Sequence, residues 1–229
     1  LCAKDMPGSI AVMAMAQAGS LLNAPDVYMD KIAIGPGYPH GVVDLDVSPE
    51  ENIRALAKAK GVSPHEIRVC VLDRPRHAEL IAACRRAGAA LRLITDGDVA
   101  GVIHCTEPDK TGVDLYLGSG GAPEGVLAAG ALRCVGGQMQ GRLILDSQAK
   151  IERAAKMGVT DPKKKYDMKE LASGDVIVCA TGVTDGALLQ GVKFNKETIE
   201  TETIIFRSIT GTVRRIKAEH REFGKFILD

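Results

Sequence analysis

The feature that most constrains this chain is an alternation of periods between residues 67 and 145. Short apolar runs at 67–72, 90–94, 113–117 and 138–145 read as strands. Between them, stretches at 75–87, 99–105 and 123–134 carry apolar residues at helical spacing. Gly88 and the pair Gly136-Gly137 stand where two of these helices stop, because a helix commonly ends on a residue in the left-handed conformation. An earlier helix opens at Ser48-Pro49-Glu50-Glu51 and closes at Gly61. It has a serine N-cap, a proline at the first helical position and acids in the first turn. Strands alternating with helices of about a dozen residues predict a largely parallel or mixed α/β sheet with helices on its faces.

The flanks are less regular. Residues 9–16 predict a buried strand, 19–22 a second short strand, and 27–34 either a strand or one or two helical turns. Residues 147–157 predict an amphipathic helix, 167–172 a further helical turn and 175–180 a strand. Asp161-Pro162-Lys163-Lys164-Lys165 reads as a solvated basic turn. Near the end, β-branched runs at 203–209 and 211–218 are split by Thr210-Gly211, which is a hairpin signal. At the other end the chain opens on Leu1-Cys2-Ala3-Lys4, which reads as neither a signal peptide nor a translation start.

Composition excludes several functions. Lys plus Arg equals Asp plus Glu, 29 against 29, so the chain has no general pull toward nucleic acid or an anionic membrane. Aromatics are 3% with no Trp, which argues against the stacking platforms of single-strand binders. No apolar stretch approaches the ~18 residues of a membrane helix. The six cysteines form no CxxC pair and read as reduced thiols of a cytoplasmic protein. Cys70 and Cys179 serve as small hydrophobes within strands.

In an α/β sheet, ligands gather beyond the carboxyl ends of the strands. Four such segments carry chemistry. Asp73-Arg74-Pro75-Arg76-His77 places two guanidinium groups at a helix start, suited to phosphate or simply a charged cap. Thr95-Asp96-Gly97-Asp98 sets two carboxylates about a glycine, where they can cap a helix, accept sugar hydroxyls or hold a metal. Gly118-Ser119-Gly120-Gly121-Ala122-Pro123-Glu124-Gly125 combines a close-approach backbone with an acid in a first helical turn. That acid complements the helix dipole or ligates a cation. The glycine spacing matches neither a Walker loop nor a dinucleotide fingerprint. Ala180-Thr181-Gly182-Val183-Thr184-Asp185-Gly186 binds an anion or merely turns. His77 and His104 have no Ser or Cys partner at triad spacing. His104 and Cys105 read as core residues.

Together with Leu22-Asn23-Ala24-Pro25-Asp26-Val27-Tyr28-Met29, these segments resemble class II (GlpX-type) fructose-1,6-bisphosphatase, in order and nearly end to end. The resemblance implies an α/β fold of mixed α+β layers, the sugar-phosphatase fold related to inositol monophosphatases. Residues 1–45 would be the remainder of a metal-binding half and residues 46–229 a substrate-binding half. It implies hydrolysis of the 1-phosphate of fructose 1,6-bisphosphate to fructose 6-phosphate, a step of gluconeogenesis, with Mn²⁺ or Mg²⁺. It assigns substrate contacts to Tyr28, Arg74, Pro75, Arg76, Asp96, Gly97, Asp98 and Gly121, and a metal carboxylate to Glu124. Arg74 stands where other members carry Lys, which keeps the charge and changes the hydrogen-bond geometry.

The family's other metal carboxylates include an Asp-Pro-x-Asp/Glu-Gly-Thr motif that precedes these segments, and no such motif occurs here. Asp161-Pro162 is followed by three lysines. The resemblance places that motif immediately before Leu1, and the catalytic group is expected upstream of Leu1 with it. The expectation is therefore a chain without its N-terminal segment, inactive alone because hard cations want several oxygens. Its partners would be a small sugar bisphosphate and further copies of itself, with no nucleic acid and no membrane. Two other readings fit the same loops. One is a phosphatase for sedoheptulose 1,7-bisphosphate or another sugar or inositol phosphate. The other is a non-catalytic sugar-phosphate-binding domain.

Overall fold

The computed structural model describes residues 1–4 and 6–221. Two sheets and two helical layers alternate. The larger sheet contains β2 (Tyr28–Ile34), β3 (Arg68–Leu72), β4 (Ala90–Ile94), β5 (Leu115–Gly121), β6 (Gln138–Ile144) and β7 (Lys165–Tyr166), in the order β4-β3-β5-β2-β6-β7. In it, β3 runs parallel to β4 and β5, while β2 pairs antiparallel with both β5 and β6. The smaller sheet is antiparallel, in the order β1 (Ile10–Ala16), β8 (Val176–Gly182), β10 (Ile199–Arg207), β11 (Thr212–His220), with β9 (Lys193–Phe194) also on β10.

Helix α5 (Ala122–Val135) lies between the sheets and is buried on nearly every side. Its composition permits this. Gly125, Ala128, Ala129, Gly130 and Ala131 leave little side chain to keep the sheets apart. A Cβ on Gly130 would sit 3.0 Å from Val178 Cγ2, so β8 approaches the helix backbone closely. Met29 and Ala33 of β2, Val178 and Ala180 of β8, and Ile204 and Phe206 of β10 complete this core. Each large side chain removed from water here contributes roughly 1.5–3 kcal/mol. Helix α3 (Asp98–His104) shares the layer, placing Val99, Val102 and Ile103 in the same core.

The other face of the larger sheet is covered by α1 (Pro49–Lys60) and α2 (Ala78–Arg86). Ile53, Leu56 and Ile81 pack there on Ile32, Ile34, Val69, Val71, Leu115 and Leu117. Helix α1 begins as its sequence predicts. Ser48 accepts from the Glu51 N–H, the Glu51 carboxylate answers the Ser48 backbone, and Gly61 takes φ +74°. Short helices α4 (Pro108–Thr111), α6 (Gln148–Lys156) and α7 (Met168–Leu171) connect the strands.

Several local expectations change. The predicted alternation is present, but it feeds two sheets, and parallel pairing is confined to β3 and its two neighbours. Within residues 27–34, Tyr28–Ile34 are a strand, because β5 and β6 each offer a full ladder to β2. Residues 19–22 form no strand; Leu21 makes one isolated bridge to Ala172. The segment 118–121 is the last part of β5 rather than a loop, since β2 pairs with it residue by residue. The basic turn is not fully free. Lys165 is held by Asp44 at 2.6 Å and Asp46 at 2.7 Å, and Lys164 by Glu170 at 2.6 Å. The hairpin is present, with Gly211 at φ +55° in its turn.

His104 closes α3 as a buried side chain whose Nδ1 has no hydrogen-bond partner. Burial, helped by Arg92 and Arg215, pushes its pKa down to about 4 from 6.5. Between those values the unfolded chain binds a proton that the folded chain refuses. The stabilisation is therefore complete above about pH 6.5 and is lost as pH falls toward 4. Urea denaturation should show a decline of about 3 kcal/mol from this group across that window. His104→Leu should remove that share of the slope. An unchanged slope in the variant contradicts the assignment.

Candidate active site

Strands β3, β4 and β5 run the same way, so the segments that follow them emerge at one edge of the larger sheet. Strand β2 is antiparallel and begins at that edge, with Tyr28 opposite Gly121. Three sequence-predicted segments thereby meet. Pro75 opens a single helical turn at 75–77 and holds Arg74 extended, at φ −135° and ψ 147°, as a residue before proline prefers. Arg74 Nη2 then reaches Asp96 Oδ1 at 2.5 Å. Gly97 takes φ +80° and lets the chain turn into α3 directly after Asp96.

Arg76 is held more firmly than a surface arginine usually is. Its Nε donates to Ser119 Oγ at 3.1 Å and its Nη2 to the Ser119 carbonyl at 2.9 Å. Its guanidinium lies 4.9 Å from the centre of the half-exposed Tyr28 ring. Stacking on an aromatic face and a two-pronged bond both limit its rotamers.

The two glycines before α5 make room for carboxylates. A Cβ on Gly120 would lie 2.1 Å from Asp98 Oδ2, and one on Gly121 would lie 1.9 Å from Glu124 Oε2. Asp98 is not mainly a helix cap. Its Oδ1 accepts from the Val99 N–H at 3.0 Å, while Oδ2 accepts from Lys31. Lys31 Nζ also donates to the Gly121 carbonyl at 2.7 Å. The lysine side chain is fully buried. Burial lowers its pKa, and Asp98 opposes that shift, with Glu124 adding to the pull. Glu124 itself stands exposed in the first turn of α5, where the N–H groups of the helix start give positive potential.

Tyr28, Arg74, Pro75, Arg76, Asp96, Gly97, Asp98, Gly121 and Glu124 therefore belong to one edge of one sheet. Leu1 reaches the same neighbourhood. Its carbonyl accepts from the Lys4 N–H at 3.0 Å and the Met6 N–H at 3.2 Å, which folds the first residues into a turn. A Cβ on Gly97 would lie 3.8 Å from Leu1 Cδ1, so the Leu1 side chain sits against the Asp96-Gly97 turn. Leu1 contributes an apolar contact there and no titratable side chain.

The segment 180–186 behaves differently. Thr184 Oγ1 accepts from the Ser9 N–H and donates to the Met6 carbonyl, and Asp185 accepts from the Gly191 N–H. Its polar atoms brace a turn. Gly186 lines a cavity of about 360 Å³ that borders the candidate site, since its walls include Asp96 and Gly97.

Three residues at the site were given no role from sequence: Lys31, Ser119 and His77. A lysine within the apolar run Met29-Asp30-Lys31-Ile32-Ala33-Ile34 was the available signal for the first. His77 is buried, with Nδ1 on the Leu72 carbonyl at 2.8 Å and Nε2 accepting from the Ser119 N–H at 2.9 Å. These partners assign the proton to Nδ1. Burial lowers its pKa, which favours the neutral ring that this pattern needs.

A guanidinium, two carboxylates and a glycine-lined helix start at one sheet edge are groups chemically suited to a phosphorylated polyol. Comparison with known proteins gives the family. Residues 1–220 match the family described as bacterial fructose-1,6-bisphosphatase, glpX-encoded. A protein of Synechococcus elongatus named D-fructose 1,6-bisphosphatase class 2/sedoheptulose 1,7-bisphosphatase is 42% identical over 233 residues, covering 96% of this chain and 67% of the relative. A protein of the same name from Synechococcus sp. (strain JA-3-3Ab) is 40% identical over 238 residues, covering 98% of this chain and 68% of the relative. The chain belongs to the GlpX-type fructose-1,6-bisphosphatase family, whose members are phosphoric monoester hydrolases.

Lys31→Met would leave the Asp98 carboxylate buried without its cation. Removing one partner of a buried pair typically costs about 3–5 kcal/mol. Urea denaturation of the variant should show a loss of that size, with part of it recovered in Lys31→Met/Asp98→Leu. A loss below about 1 kcal/mol, the scale of an exposed pair, would count against the pairing.

Proposed function

We propose that this sheet edge binds fructose 1,6-bisphosphate and that the enzyme hydrolyses its 1-phosphate to give fructose 6-phosphate. The observation that carries this reading is the fixed guanidinium of Arg76 facing the edge where the carboxylates of Asp96 and Asp98 gather. Arg76 binds a phosphate oxygen pair, which suits its planar fork. Asp96 and Asp98 accept sugar hydroxyls. Tyr28 and the Gly121 backbone line the sugar, and Arg74 adds charge while its pairing with Asp96 holds both side chains in place. The N-terminus of α5 adds backbone donors and positive potential for an anion.

The cation chemistry of such a reaction, with Mn²⁺ or Mg²⁺, neutralises phosphoryl oxygens and activates water. Glu124 is the one carboxylate proposed here as a ligand. The described residues contain no group of three or more His, Cys, Asp or Glu able to hold a metal ion. One carboxylate does not fit a divalent cation by itself. Among the described residues no helix is long and apolar enough to cross a membrane. We place the enzyme in the cytoplasm, in gluconeogenesis, as a homo-oligomer.

The names of the Synechococcus relatives favour a second substrate, sedoheptulose 1,7-bisphosphate, which offers the same hydroxyl and phosphate chemistry. In an enzyme that joins this chain to the family's Asp-Pro-x-Asp/Glu-Gly-Thr segment, phosphate release with Mn²⁺ should be measured for fructose 1,6-bisphosphate, sedoheptulose 1,7-bisphosphate and an inositol phosphate. Turnover of the two ketose bisphosphates and not the inositol phosphate is expected. Arg76→Ala should raise KM by roughly tenfold to a hundredfold, since a charged hydrogen bond contributes ~1.5–3 kcal/mol. Glu124→Gln should lower kcat far more than it changes KM. Equal effects of the two substitutions on kcat would refute this division of roles.

A further inference from the structure

We infer that Ser119, seated on the His77 imidazole, is the positioning residue for Arg76. The inference rests on the reading that Arg76 contacts the substrate phosphate, and it adds a residue that this reading does not contain.

The argument starts at Gly118. Its φ of +139° is a conformation for glycine, and a Cβ there would stand 3.2 Å from His77 Cε1 and Nε2. Glycine thus admits the imidazole against β5. The ring is fixed from its far side, because Nδ1–H donates to the Leu72 carbonyl at the end of β3. Nε2 is therefore the acceptor. It takes the Ser119 backbone N–H at 2.9 Å, and the Ser119 hydroxyl lies 3.0 Å from it. Ser119 is buried, and its two oxygens are left to serve one purpose. Oγ accepts Arg76 Nε–H, and the carbonyl accepts Arg76 Nη2–H.

A guanidinium has five N–H donors in one rigid plane. Ser119 takes one from Nε and one from Nη2. The Nη1 pair and the second Nη2 hydrogen remain for a ligand, in a plane whose direction Ser119 sets. An exposed arginine side chain ordinarily has many rotamers to lose when it binds a ligand. Here the cost of ordering it is met on folding rather than on binding, which is preorganisation. Ser119 also precedes the Gly120-Gly121 pair that houses the carboxylates of Asp98 and Glu124. One backbone segment therefore sets the spacing between the phosphate cation and the acids.

The test is a mutant cycle in the enzyme carrying this chain, assayed with Mn²⁺ and fructose 1,6-bisphosphate. Ser119→Ala should raise KM roughly tenfold, the loss of one charge-assisted hydrogen bond, with kcat within about twofold. In an Arg76→Ala background the same substitution should change KM less than about twofold, because nothing remains to be positioned. Equal KM effects in both backgrounds, or none in either, overturn the inference. Ser119→Cys keeps the size and loses the strong acceptor. It should give the same split if Ser119→Ala does not fold. His77→Asn, which retains a donor and an acceptor, should restore most of the affinity that His77→Leu loses. ¹⁵N relaxation at Arg76 Nε reads the pinning without substrate. An ordered Nε in the wild type that becomes mobile in Ser119→Ala supports the inference, and mobility in both refutes it. Failure of the wild type to hydrolyse the substrate would instead count against the functional reading, and the relaxation measurement would still decide the inference.

Discussion

A lysine ammonium buried in the core is the interaction on which this arrangement turns. Lys31 lies within β2, where its neighbours on the same face, Met29 and Ala33, are fully buried. A charge at such a position is costly unless it is paired and hydrogen-bonded. The partners are the Asp98 carboxylate at the start of α3 and the Gly121 carbonyl at the end of β5. Satisfying one ammonium therefore ties β2, α3 and the β5–α5 junction to a common point. That point is the edge where the candidate site lies.

The rest follows from how closely the backbones can approach. Gly120 and Gly121 admit the Asp98 and Glu124 carboxylates where a methyl group would collide with them. Gly118 admits His77 in the same strand. Helix α5 then enters a space between two sheets where alanine and glycine at 128–131 let the backbone approach closely. The small residues serve the core in the helix and the site in the strand.

Much of the candidate site was legible in the sequence as a set of neighbouring segments, because each segment is local. Arg74-Pro75-Arg76 and Asp96-Gly97-Asp98 each carry their chemistry within three consecutive residues, beside turn signals that mark strand ends. Strand-end loops converge by topology, so their chemistry is shared whatever the details of packing. Lys31, Ser119 and His77 were not legible in this way. Each acts through a partner distant in the chain: Asp98 for Lys31, Arg76 for Ser119, and Ser119 for His77. The contact of Leu1 with the turn at Gly97 was hidden for the same reason, since it joins residues far apart in the chain. The segment 180–186, where the sequence left an anion site and a turn both open, is another case in which contacts distant in the chain speak. Its hydroxyl and glycine content matches an anion loop, while its bonds to Met6 and Ser9 show the same groups bracing a turn.

The sequence by itself determined the helices with local stop signals, most of the strands, and the family. Periodicity, the Ser48 cap and the glycine stops mark helices whose causes are local, and the ordered motifs carry the likeness to the glpX-encoded phosphatases. Only the tertiary structure decided how the strands divide. Pairing is a long-range choice, and β1 finds β8 across most of the chain. It also decided which face each residue serves. Ser119 and Gly120 are adjacent in sequence, yet one orders Arg76 and the other makes room for Asp98. Successive residues of a strand point to opposite sides of the sheet, and both sides meet ligand chemistry only at its edge.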